Sequence, residues 1–97
     1  MQREKTMLIA DDVELNRALL ENIFEDEYSI LQAADGAEAM EILRSQPVDV
    51  VLLDIVMPRM DGFEVLKTMK EDKALSGIPV IMATSEKEKS EEHALIL

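Results

Sequence analysis

The chain has no cysteine, no tryptophan, a single histidine and only three aromatic residues among its 97. Without thiols there is no disulfide scaffold, no thiolate metal site and no cysteine nucleophile, a usage that suits a reducing compartment. With so few aromatics the core has to be aliphatic. No apolar run approaches the ~20 residues of a membrane span, and the opening MQREKTMLIA lacks the apolar segment and cleavage site of a signal peptide. A cytoplasmic protein with no membrane partner is therefore expected. Basic residues are scarce as well, ten against 21 acidic, for a formal net charge of −11. That balance repels a phosphate backbone, and no basic stripe with interleaved aromatics offsets it, so no direct nucleic-acid partner is expected. There is no linker and no low-complexity tract, and the length allows one domain, residues 1–97.

What is present is a rhythm of short aliphatic runs and amphipathic segments. TMLIA (6–10) precedes a helical pattern over 13–26, in which Leu15, Leu19, Ile23 and Phe24 form the apolar stripe. YSILQA (28–33) precedes a helix over 36–45 with Ala39, Met40 and Leu43, and VDVVLL (48–53) precedes one over 62–72 with Phe63, Leu66 and Met69. IPVIMA (78–83) precedes the polar segment SEKEKSEEHALIL (85–97), read as a fourth helix in which His93 is a solvated residue. Asp35 to Glu38, Asp61 to Glu64 and Ser85 to Glu88 place capping-box-like pairs at the proposed helix starts. Met40, Met69 and Met82 read as adaptable core filler. Strands aliphatic on both faces, each followed by a helix, imply an α/β fold with a mostly parallel sheet covered on both sides and right-handed crossovers.

In such a sheet ligands bind beyond the carboxyl ends of the strands. The first strand runs into Asp11 and Asp12, the third into Asp54, and the fourth into Thr84 and Ser85. Three segments thus deliver three carboxylates and two hydroxyls to one edge. Carboxylates that crowd together need a cation, and hard oxygen donors without thiols favour Mg²⁺. A carboxylate beside Mg²⁺ can also act as a nucleophile toward a phosphoryl group, and Asp54 is the best placed of the three. Asp61, by contrast, reads as a helix cap.

The DD pair after the first strand, D-I-V-M-P-R-M-D-G from Asp54 to Gly62, and the TS after the fourth strand resemble the receiver domain of two-component response regulators, in particular the single-domain chemotaxis type. The resemblance implies a flavodoxin-like doubly wound sheet with strand order 2-1-3-4, here of four βα units. It implies that Asp54 accepts a phosphoryl group and that Asp12, Asp11, Asp54 and the Val56 backbone carbonyl hold Mg²⁺. Thr84, with Ser85, would bind the phosphoryl group as the switch hydroxyl. Met57 and Pro58 would shape the loop, and Gly62 would let the chain turn into the next helix. The partner implied is a sensor histidine kinase or a histidine phosphotransfer protein, which supplies the phosphohistidine. The family's fifth strand, with its lysine and aromatic residue, and its fifth helix have no counterpart, so a receiver domain shortened before that strand is expected. IPVIMA would then be an exposed sheet edge, open to homodimerisation or to exchange of elements with a second copy. Two other functions compete with phosphoacceptor signalling. One is a receiver-like scaffold that binds or dimerises without accepting phosphate. The other is a Mg²⁺-dependent phosphatase, disfavoured because Val56 stands where that chemistry usually places a second aspartate.

Overall fold

The aliphatic runs pair as strands because each is short, bounded by polar residues and apolar on both faces. The computed structural model describes residues 4–83 and 94–96. In chain order the elements are β1 (Thr6–Ala10), α1 (Glu14–Phe24), β2 (Ser29–Ala33), α2 (Gly36–Ser45), β3 (Val50–Asp54), α3 (Gly62–Lys70), β4 (Val80–Ala83) and β5 (Ala94–Ile96). They form one sheet of order β2-β1-β3-β4-β5, with the first four strands parallel as expected. None of the helices is long and apolar enough to cross a membrane, among the described residues.

Going from β1 to β2 and then from β2 back past β1 to β3 reverses the direction of travel across the sheet. Right-handed crossovers then put α1 on one face and α2 with α3 on the other. Leu8, Val51 and Val80 lie in register across the second face, as do Ala10, Leu53 and Met82. Ala39, Met40 and Leu43 of α2 and Val65 and Met69 of α3 bury against them, so the methionines expected as core filler are core. Met7 and Ile9 alternate to the α1 side and are also buried.

β4 is not an edge strand: β5 pairs with it antiparallel, Ile81 opposite Ile96 and Ala83 opposite Ala94. The edges are β2 and β5, and residues 94–96, expected in a fourth helix, are strand. The rest of that expected helix, with His93 and the Ser85 cap, lies outside the described residues. The expected apolar stripe of α1 is not its buried face. Leu15, Leu19 and Ile23 are 65%, 55% and 65% exposed, and the half-buried positions are Asn16, Arg17, Leu20, Glu21 and Phe24. Periodicity identified an apolar face but not which neighbour it meets. The sheet-facing line of α1 is instead partly polar, with Arg17 and Glu21 both reaching Gln32 on β2. Phe63, placed in the α3 stripe by spacing, is likewise 52% exposed, because the buried line of that helix runs through Val65 and Met69.

Among the described residues, Asp35 caps α2 by accepting from the Glu38 amide at 2.8 Å, without the reciprocal bond of a capping box, and the pair at α3 is complete. Asp61 accepts from the Glu64 amide at 2.9 Å, and Glu64 accepts from the Asp61 amide at 2.9 Å, completing a capping box. Asp61→Ala is expected to cost about 1 kcal/mol of stability, read as a lower urea midpoint at unchanged m-value. A midpoint equal to wild type would mean that the box contributes nothing.

Candidate metal and phosphoryl site

The carboxyl ends of β1 and β3 are neighbours in the sheet, Ala10 opposite Leu53, so the residues that follow them meet. Asp11 (7% exposed), half-buried Asp12 and Asp54 (4% exposed) each offer a carboxylate oxygen within 4.8 Å of the others. Sequence position alone brought these three to one edge, and the structure places them together. Hard donors of one sign at this spacing suit a small divalent cation and fit Mg²⁺, which takes one or two carboxylates and keeps water for the rest.

Local geometry fixes each aspartate differently. Asp11 is held by its backbone, its amide donating to the Ala33 carbonyl at 3.1 Å. Its side chain accepts from the Val13 amide at 2.8 Å and from Asn16 Nδ2 at 3.4 Å, which steers the entry into α1. Arg17 Nη1 donates to the Asp11 carbonyl at 2.8 Å while Nε donates to Gln32 Oε1 at 2.9 Å, bracing the acidic turn against β2. Asp54 is the last residue of β3, one position further into the strand than the aliphatic run suggested. Its Oδ1 faces the Val56 amide at 3.4 Å, and the Ile55 amide is anchored by the Ala83 carbonyl at 3.2 Å.

The loop between β3 and α3 carries the other expected residues. Met57 is buried in the core, whereas Pro58 is exposed. Gly62 serves by closeness rather than by left-handed backbone: no glycine has positive φ, but a Cβ on Gly62 would lie 2.3 Å from the Asp54 carbonyl oxygen. Thr84 and Ser85 lie outside the described residues.

Several contributors carried no signal in the linear chain. Arg59 forms an ion pair with Asp35, the N-cap of α2, across 24 positions of sequence. The Glu38 amide bonded to Asp35, followed by the Arg59 guanidinium, holds that carboxyl below the usual carboxylate range despite its burial. Arg59 and Asp35 line a cavity of about 650 Å³ together with Ala34, Ala37, Glu38, Glu41 and Arg44. Gly36 lies directly under Met60, with the Met60 carbonyl oxygen 1.9 Å from where a Cβ would sit.

Comparison with known proteins agrees with this arrangement. Residues 7–96 match the model of the response regulator receiver domain. A probable cyclic di-GMP phosphodiesterase of Vibrio cholerae is 41% identical over 87 residues, 90% of this chain but 20% of that protein. The polar-differentiation response regulator DivK of Brucella abortus is 35% identical over 92 residues, 94% of this chain and 75% of that one. Among solved structures, the N-terminal domain of a response regulator receiver protein from Methanoculleus marisnigri superposes with a TM-score of 0.76 at 40% identity, covering 79% of this chain and 63% of that one. The chemotaxis protein CheY4 of Vibrio cholerae superposes with a TM-score of 0.78 at 30% identity, covering 90% and 76%. The chain spans only 20%, 36% and 34% of the first three curated relatives. The doubly wound order, the three convergent aspartates and the match over nearly the whole length lead to one assignment: the chain belongs to the response regulator receiver domain family.

Proposed function

We propose that this chain is a phosphoacceptor signalling module in which Asp54 takes a phosphoryl group from a phosphohistidine of a sensor kinase or phosphotransfer protein, and in which the phosphorylation state controls binding to an output partner. The observation that carries the reading is the meeting of Asp11, Asp12 and Asp54 within 4.8 Å at the carboxyl edge of the sheet.

The chemistry follows from that placement. An Asp54 carboxylate oxygen attacks phosphorus, the P–N bond of the donor breaks, and its electron pair leaves on the imidazole nitrogen. The product on this chain is an acyl phosphate. Asp11, Asp12, Asp54 and the Val56 carbonyl would hold Mg²⁺, which neutralises the carboxylates and polarises the phosphoryl oxygens when bound. Burial keeps bulk water from competing for the acyl phosphate, and the ladder at Ala83 keeps the strand end that carries Asp54 from moving as charge builds. Ala83 pairs with Asp54 at the end of β4, and the residues next in sequence, Thr84 and Ser85, are assigned to the phosphoryl oxygens in this proposal.

Incubation with a small phosphodonor and Mg²⁺, followed by intact mass measurement, tests this. Wild type is expected to gain the mass of one phosphoryl group, the gain vanishing with EDTA or in Asp54→Ala. A wild-type mass unchanged under all conditions contradicts the proposal and favours a scaffold that does not accept phosphate.

A further inference from the structure

Arg59 is the only residue other than glycine with positive φ among the described residues, at 67°. The Met60 amide donates back to the Pro58 carbonyl at 2.7 Å, closing a γ-turn around Arg59 in the hand that is rare and strained. A side chain with a Cβ is disfavoured there, and glycine would be the easier residue. Stability of the turn therefore does not account for an arginine.

Its contacts do. The guanidinium reaches out of the turn to the Asp35 carboxylate, although 70% of the Arg59 side chain is exposed against 9% for Asp35. The other Asp35 oxygen accepts from the Glu38 amide at 2.8 Å, so the carboxylate is fixed to the first turn of α2. The ion pair thus ties the tip of the β3–α3 loop to α2, at the junction where Gly36 lies under the Met60 carbonyl. The tied loop begins at Asp54 and carries Val56, whose amide faces Asp54 Oδ1.

We infer that the Asp35–Arg59 pair is a positioning device for the acidic site: by holding the strained turn against α2 it presents Val56 beside Asp54 and sets the affinity for Mg²⁺. The inference rests on the metal site proposed above. Neither side chain belongs to the group of three aspartates, and both act through the loop backbone. The Arg59 end of the pair is solvated, and the buried Asp35 carboxylate keeps the Glu38 amide when the guanidinium is removed, so loss of the pair should register at the metal more than in the fold.

The test uses Arg59→Gly, Arg59→Lys, Asp35→Asn, which keeps a good N-cap, and the Arg59→Gly/Asp35→Asn double variant. Mg²⁺ affinity is read from amide shifts of residues 54–62 during titration, and stability from urea unfolding. Arg59→Gly is expected to be as stable as wild type or more so, yet to bind Mg²⁺ about tenfold more weakly, the lower end of losses seen when an outer support of a metal site is removed. Arg59→Lys should recover most of the affinity. Asp35→Asn should match Arg59→Gly, and the double variant should be no worse than either, because both changes break one tie. Wild-type affinity in Arg59→Gly, or additive losses in the double variant, overturns the inference while leaving the metal site intact. Failure of the wild type itself to bind Mg²⁺ overturns the site, and the inference with it.

Discussion

Gly36→Ala is expected to destabilise the protein by about 3 kcal/mol or more, a fall in Tm of roughly 12–24 °C for a domain of this size. The new Cβ would lie 1.9 Å from the Met60 carbonyl oxygen and 2.7 Å from both its carbonyl carbon and its Cβ, far inside the 3.0 Å that such contacts essentially never cross. The obstacle is backbone, so no rotamer change relieves it. Either α2 shifts off the sheet, uncovering Ala39, Met40 and Leu43, or the β3–α3 loop lifts and the Asp35–Arg59 pair breaks. Gly77→Ala is the matched control, since a Cβ there meets nothing within 4 Å, and its effect should stay within about 0.5 kcal/mol. Equal stability of the two variants in thermal unfolding would show that the close approach of α2 to the loop is not a requirement of the fold.

Asp12→Ala is expected to reverse sign with metal. Without divalent cations the variant should be more stable than wild type, because one of three carboxylates whose oxygens lie within 4.8 Å is gone. At an effective dielectric constant near 20, two such charges repel by about 3 kcal/mol. Asp12 is half-buried, so solvent screening reduces the gain to on the order of 1 kcal/mol. With Mg²⁺ present the order should invert. If Asp12 binds the ion directly, as proposed, its removal should weaken Mg²⁺ binding by at least about a hundredfold, beyond what loss of an outer partner costs. Thermal unfolding with EDTA and with Mg²⁺ reads both effects. An Asp12→Ala variant stabilised by Mg²⁺ as much as wild type would remove Asp12 from the site.

The fold and the centre of the site were legible because they depend on local pattern and on topology. Four strand-length aliphatic runs with helical segments between them suffice for a doubly wound sheet, and such a sheet sends Asp11, Asp12 and Asp54 to one edge whatever the details of packing. The Asp35 cap and the Asp61–Glu64 capping box were legible because their partners are three residues apart. What was not legible depends on which neighbour an element meets. The stripe Leu15, Leu19 and Ile23 has helical spacing, yet α1 turns its Arg17–Glu21 line to the sheet, because Gln32 on β2 offers those polar groups partners. The pairing of β5 with β4 could not be read from a polar segment whose composition suits a helix. Neither could the Asp35–Arg59 tie, since its members are far apart in sequence and each has an ordinary local reading, one as a cap and one as a surface arginine.

The measurement that bears most directly on the central claim is the location of the phosphoryl group. After reaction with a phosphodonor and Mg²⁺, borohydride reduction converts an acyl-phosphorylated aspartate to homoserine, which peptide sequencing by mass spectrometry can place. Conversion at Asp54 alone, dependent on Mg²⁺, is the result the account predicts. Conversion at Asp11 or Asp12, or at no aspartate in protein incubated to completion, would contradict it.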